Sequence, residues 1–274
     1  MNKIFVLGAD GQVGKELRKN TNKNFVYFNK KNLDITDRDK ILKKIKYYKP
    51  KLIVNLAAYI DVDQSEVKKE KCLKVNFLGV VNIVEILKLY KIKLIHISTD
   101  YVFDGKKKLY KERDIKNPLN FYGMTKSLAE DYIIKNLKNY SIIRSSWIYS
   151  NQKNSFIKKI LNKIKKKKQI YGVIDTYSGP TSTKNLSKAI DFIIKNNIQK
   201  KILHYCDGNR ISPYDFILKI INISNIKKYK LKKVKHRNLT LLATRPKDSY
   251  LGISKELKNV KSLSFDEQIK SYVR

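Results

Sequence analysis

Short apolar runs recur along the first half of the chain, at intervals that a helix would fill. KIFVLG (3–8), NFVYFN (24–29), KLIVNLAA (51–58), KLIHIST (93–99) and SIIRSSW (141–147) are apolar nearly throughout. Such runs predict strands covered on both faces rather than strands with one wet face. Between them lie stretches with helical spacing. QVGKELRKN is the first, and TDRDKILKKIKYY, with Thr36 as its expected N-cap, is the second. A long pattern over roughly residues 65 to 90 is the third, and the segment holding Tyr122 is the fourth. Strands alternating with helices imply right-handed crossovers and a parallel sheet. The expected fold class is α/β, a doubly wound, Rossmann-like parallel sheet.

After Trp147 the rhythm loosens. A helix with a lysine-rich end (154–168) precedes DTYSGPTST, which reads as a loop, and a helix follows from Thr183. KKILHYC (200–206) predicts a further strand of the main sheet, and 207–274 predicts helical patches and loops. The expected division is a dinucleotide-binding domain over 1–150 plus 183–206, and a small C-terminal α/β substrate-binding lobe over 151–182 plus 207–274.

Composition bounds the function. The formal charge is +36, yet only eight of the 60 basic residues are arginines. Arginine is the usual tool for bidentate recognition of bases and phosphates. The lysines are spread along the whole chain, so the charge reads as compositional drift and no nucleic-acid partner is expected. KIKKKKQ (163–169) reads as the exposed end of a helix. No run approaches the ~18 apolar residues of a membrane span, so no membrane partner is expected. The N-terminal apolar run is too short for a signal peptide. Cys72 and Cys206 are far apart and without metal spacing, which fits a reducing cytoplasm and no metal.

LGADGQVG places Gly8, Gly11 and Gly14 directly after the first strand and into the first helix. Glycines there permit a tight turn and close backbone approach to a pyrophosphate, which helix N-terminal amides then face. Dinucleotide folds often carry a ribose-binding acid at the end of the second strand. Here Asn29, Lys30 and Lys31 stand there, and a cation suits a 2′-phosphate. The cofactor expectation leans to NADPH, with NADH open. Further on, Tyr122 and Lys126 fall one helical turn apart, on one face. His96 and His204 read as satisfied core residues, and His236 as exposed.

GADGQVG, DITD, NLAAYIDVDQSE, VN (75–76), STDYVFDG, NPLNFYGMTK, RSSWIY, DTYSGPTST and RPKDSYL occur in this order over nearly the whole chain. Together they resemble the extended short-chain dehydrogenase/reductase family, in its dTDP-4-dehydrorhamnose reductase branch of sugar-nucleotide enzymes. The resemblance implies Tyr122 as general acid, Lys126 as the cation that binds the nicotinamide ribose and lowers the tyrosine pKa, and Thr99 as donor to the substrate carbonyl. Ser98 is the rival for the hydroxyl role. It implies a cofactor site of Gly11, Gln12, Val13, Asp34, Ile35, Ala57, Ala58 and Tyr59, joined by Gly8, Gly14, Lys30 and Asn76. It sets Asp100, Tyr101 and Trp147 against the sugar, with Arg245 gripping the diphosphate.

The chemistry is consistent with that set. Reducing a ketone leaves negative charge on oxygen, so a positioned donor must supply a proton as the charge develops. The expectation is an NAD(P)H-dependent oxidoreductase that reduces the 4-keto group of a nucleotide-linked 6-deoxysugar, dTDP-4-dehydro-L-rhamnose being favoured. The alternatives are another 4-ketoreductase, an epimerase of the same superfamily, or a non-catalytic NADP-binding regulatory subunit. A nucleotide-sugar substrate, a homodimer and a cytoplasmic location complete the expectation.

Overall fold

The computed structural model describes residues 3–21, 23–199, 201–260 and 262–273; Lys200, at the head of KKILHYC, lies outside them. Five strands come in the expected order: β1 (Ile4–Leu7), β2 (Phe25–Phe28), β3 (Leu52–Asn55), β4 (Lys93–Thr99) and β5 (Tyr140–Tyr149). The helices between them are α1 (Gln12–Lys19), α2 (Arg38–Tyr48), the short α3 (Val62–Val67) and α4 (Lys69–Leu73), α5 (Gly79–Tyr90) and α6 (Phe121–Asn136). The third helical pattern is thus broken, and Lys74–Leu78 between α4 and α5 is a π-helical turn. Asp37, not Thr36, caps α2 by accepting from the Lys40 N–H at 3.0 Å. Thr36 is unavailable because its N–H and hydroxyl both donate to Asp34 Oδ1 at 2.9 Å.

The second half supplies α7 (Phe156–Lys165), β6 (Ile170–Val173), β7 (Pro180–Ser182), α8 (Thr183–Lys195), β8 (Lys201–His204), α9 (Pro213–Ile223), β9 (Leu231–Val234) and α10 (Phe265–Val273). The sheet runs β2-β1-β3-β4-β5, every described pairing in it is parallel, and β7 and β8 both lie beside β5. β8 pairs with Ser141–Arg144, and β7 with the strand's end beyond a bulge at Ser146/Ile148. DTYSGPTST is therefore not all loop. β6 and β9 form a separate two-stranded parallel sheet that the sequence pattern did not announce.

Strand side chains alternate between two cores, as a doubly covered sheet requires. Phe5, Leu7, Ile53, Leu94 and Ile142 pack under α2, α5 and α6, against Ile41, Ile83 and Ile133. Val6, Val54, Ile95, Ile143 and Leu203 pack against Leu17 of α1 and Ile190 of α8. A third core gathers Tyr149 at the end of β5 with Ile157, Ile170, Phe216, Phe265 and Tyr272 from the chain beyond it. The strand order reverses at β1, and an open parallel sheet binds ligands in the crevice at that switch point. Among the described residues no helix is long and apolar enough to cross a membrane, and no group of three or more His, Cys, Asp or Glu is placed to hold a metal.

Candidate active site

A cleft of about 520 Å³ opens at the switch point, floored by the turn from β1 into α1. Gly8 sits at φ +78°, and a Cβ there would lie 2.6 Å from the Ala57 backbone nitrogen. The turn therefore requires glycine for both its dihedral and the approach of the β3 exit. Gly11 caps α1 without any side-chain hydrogen bond, so the first amides of the helix are left for an anion. Gln12 ties this loop to the chain beyond β5: Ser150 Oγ donates to its Oε1 at 2.6 Å, and Gln152 Nε2 to its carbonyl at 3.0 Å. At the far end Lys30 stands 3.8 Å from Asp34, and both line the cleft with Ile35. A closely packed glycine turn, an uncapped helix end and an exposed lysine fit a phosphorylated dinucleotide.

Tyr122 enters from the first turn of α6, where Asn120 caps the helix by accepting from the Gly123 N–H at 2.8 Å. Burial pushes its phenol pKa above the usual tyrosine value, with the Thr99 hydroxyl opposing. Ser98, the rival, is held by Glu130 on the same helix. Lys126 is 2% exposed and burial pushes it down to about 8. Its amine does not meet the phenol. It donates to the Ile97 carbonyl at 2.6 Å and faces His96 Nε2 at 3.0 Å. The expected lowering of the tyrosine pKa by lysine is thus reversed in the protein alone, where desolvation wins.

The polarity of this buried chain follows from one fixed donor. The Ala57 N–H points at Asn55 Oδ1 at 3.1 Å, which leaves Asn55 Nδ2 to donate to His96 Nδ1, also at 3.1 Å. His96 is fully buried, and burial holds its pKa well below the ordinary histidine value, so the ring is neutral. With Nδ1 accepting, Nε2 carries the hydrogen and aims it at Lys126. Above about pH 8 the neutral amine accepts that bond; below it the ammonium and this N–H face each other as two donors. Beside this chain, Glu130 accepts a bidentate bond from Arg144, at 2.7 Å from Nη2 and 3.0 Å from Nε.

A second cleft of about 510 Å³ adjoins the first and shares Ile60, Thr99, Tyr122 and Trp147 with it. Trp147 sits at the bulge of β5 with φ +39°, a rare conformation for a tryptophan, and rests on Phe156 and Phe216 at 4.9 and 5.0 Å between ring centres. Strained backbone of this kind collects at functional sites. Asp100 is buried, and burial pushes its carboxyl up to about 7 although Thr99 and Ser249 both donate to it. Tyr101 is pushed up to about 12 by burial. Arg245 does not stand free to grip a diphosphate: its guanidinium bonds Asp63 at 2.8 and 3.0 Å and holds that carboxyl down to about 2.

The RmlD substrate binding domain family matches residues 1–274. The chain belongs to this family. A dTDP-4-dehydrorhamnose reductase of Aggregatibacter actinomycetemcomitans is 31% identical over 271 residues, 93% of this chain and 92% of that one. The crystal structure of dTDP-4-dehydrorhamnose reductase from Bacillus anthracis in complex with NADP is 29% identical, with a TM-score of 0.93 over 99% of each chain. The UDP-glucose 4-epimerase of Thermotoga maritima, at 16% identity and a TM-score of 0.81 over 100% of this chain and 97% of that one, shares the fold alone.

Within this RmlD-family chain the motifs converge as expected, with two displacements. Gly8, Gly11, Gln12, Val13, Gly14, Lys30, Asp34, Ile35, Ala57, Ala58 and Tyr59 all line the first cleft with Tyr122 and Lys126. Asp100, Tyr101 and Arg245 line the second. Asn76 does not line the cleft. It sits behind it in the π turn, clamping Tyr59 through N–H···Oδ1 and Nδ2–H···O bonds of 2.7 and 3.0 Å. His236, expected to be exposed, is half-buried in the wall of the second cleft. Sequence reasoning also missed Lys71, whose amine lies 5.8 Å over the Tyr59 ring at the first cleft, and Ser249 in the second. The lysine carried no signal among so many others.

Proposed function

We propose that this protein reduces the 4-keto group of a dTDP-linked 4-dehydro-6-deoxysugar with NAD(P)H, giving dTDP-L-rhamnose from dTDP-4-dehydro-L-rhamnose. The observation that carries the proposal is the seam where the two clefts share Thr99, Tyr122 and Trp147. One ligand on each side of that seam brings a dinucleotide and a ketone to the same phenol. Family membership and the NADP-bound relative support the cofactor, and Lys30 supports NADPH over NADH.

When bound, the reduced nicotinamide supplies the hydride for the carbonyl carbon. Tyr122 donates its phenolic proton to the carbonyl oxygen as negative charge grows there. Burial keeps the phenol protonated but makes it a weaker acid, so the Lys126 ammonium beside the phenolate is what eases the transfer. Thr99, whose hydroxyl donates to Asp100 in the protein alone, adds a second donor at that oxygen once its one hydrogen turns to the substrate. The Lys126 ammonium, drawn off His96, offsets the phenolate left behind. Asp100, Tyr101 and Trp147 position the sugar. Arg245 acts here as the clasp on Asp63 that shapes the second cleft. A homodimer in the cytoplasm belongs to the same proposal, supported by two unbridged buried thiols for the compartment and tested by sedimentation for the assembly.

The test is loss of reduced-nicotinamide absorbance with dTDP-4-dehydro-L-rhamnose as substrate, with Tyr122→Phe alongside. Turnover by wild type and its loss in the variant support the proposal. Absence of turnover by a protein that binds NADPH rejects it.

A further inference from the structure

His96 is fully buried in the middle of the sheet and lines neither cleft. It stands on β4 between Asn55 of β3 and Ile142 of β5, and Lys126 of α6 reaches its Nε2. Asn55 and Lys126 are its only side-chain hydrogen-bond partners among the described residues. The amine itself has the Glu130 carboxylate and the Cys72 thiol nearby. Glu130 is committed to Arg144, Ser98 and Lys116, and burial pushes the Cys72 thiol up, so it stays protonated. The imidazole is thus the group that meets Lys126 directly from the β4 side.

The direction of each bond is set from one end. The Ala57 N–H can only donate, so Asn55 turns its oxygen to it and its Nδ2 to His96. Nδ1 then accepts and Nε2 carries the hydrogen. Held this way, the ring cannot pass a proton on, because Asn55 offers Nδ1 no base. What it can do is distinguish the two states of Lys126. The neutral amine receives the Nε2–H at 3.0 Å while donating to the Ile97 carbonyl at 2.6 Å. The ammonium has no lone pair to offer, and a donor already faces it.

We infer that His96 is a positioning residue for the reduction: its Nε2–H, aimed by Asn55, retains Lys126 as the neutral amine and turns the ammonium out toward Tyr122 and the cofactor. This rests on the reductase reading above. Lys126 and Tyr122 line the first cleft one helical turn apart, so an ammonium released from His96 has an anionic dinucleotide and a phenolate as its new partners.

The direct test uses the wild type. With only three histidines in the chain, nitrogen-15 spectra of histidine-labelled protein resolve each ring, and the signal lost in His96→Gln assigns this one. A neutral ring with its hydrogen on Nε2, at pH values on both sides of 8, is expected; a hydrogen on Nδ1 or a charged ring overturns the inference. The second test is proton uptake on NADPH binding, measured midway between pH 8 and 10.5. His96→Leu removes the donor, so uptake should fall by about half or more and kcat by about tenfold. His96→Gln keeps an acceptor for Asn55 and an N–H for Lys126, and should recover much of both. Unchanged uptake in His96→Leu overturns the inference, and so does a His96→Gln protein as impaired as His96→Leu. If His96→Leu does not fold, the wild-type spectrum and His96→Gln decide. A wild type that binds NADPH but does not reduce dTDP-4-dehydro-L-rhamnose rejects the reductase reading by itself, while the spectrum and the uptake still report on His96 and Lys126.

Discussion

Lys126 and Glu130 stand one turn apart on α6, both all but inaccessible to water, yet the protein treats the two very differently. Glu130 has a full set of opposite charges and donors: Arg144 in bidentate contact, Ser98, and Lys116 at 3.5 Å. These hold its pKa below the usual value even though burial pushes the other way. Lys126 has no carboxylate in contact, only a carbonyl and a neutral imidazole, and burial pushes it down to about 8. A buried charge that is fully paired holds a fold together. A buried base without a counter-ion, at the wall of a cleft, is being kept for something that arrives.

The largest test of this contrast is catalytic. Tyr122→Phe and Lys126→Met should each cut turnover by about 10²–10⁴-fold, the range for losing a positioned proton donor or its support. Both should fold as wild type does by circular dichroism. Next in size is the opposite outcome one turn along. Arg144→Met strands the Glu130 carboxylate and should cost about 3–5 kcal/mol in urea unfolding, while the protein that remains folded keeps its NADPH affinity. If Arg144→Met instead leaves stability intact and abolishes turnover, the two roles have been assigned the wrong way round.

A smaller effect is linked to pH. The Lys126 amine is neutral in the free protein above about pH 8, against 10.5 for an ordinary lysine. A bound anionic dinucleotide that restores the ammonium must take up a proton between those values. NADPH affinity should therefore fall as pH rises through that window. Calorimetry in buffers of different ionisation heat should show uptake approaching one proton midway through that window, and none in Lys126→Met. The smallest expected effect is Thr99→Val, which removes one donor and should lower kcat by about tenfold with little change in NADPH affinity.

What the sequence disclosed and what it withheld divide along the same physical line. The glycine turn, the strand rhythm and the Tyr122–Lys126 spacing are local, and local periodicity writes them directly into the chain. His96 looked like a satisfied core residue and is one. Which atoms satisfy it depends on β3 and β4 lying in register, Asn55 opposite His96, and no local pattern states that. Asn76 was legible as part of a motif but not as a clamp, because the π turn that carries it shows no break in hydrophobic spacing. Arg245 read as a free cation since Asp63, its partner, is 182 residues away. His236 was lost among lysines whose abundance hid the boundary between wet surface and cleft wall.

The divided partnership of β5 has a consequence for the order of synthesis. Its first half waits for β8, and Ser141 meets Lys201 only after the intervening segment has been made. At ~5–20 residues per second, those roughly 60 residues take about 3–12 seconds to emerge. For that interval the nascent sheet carries an open parallel edge, with Ile142 on one face and Ile143 on the other, of the kind that recruits other chains. Helix α8 is the last element translated before β8 arrives to seal that edge.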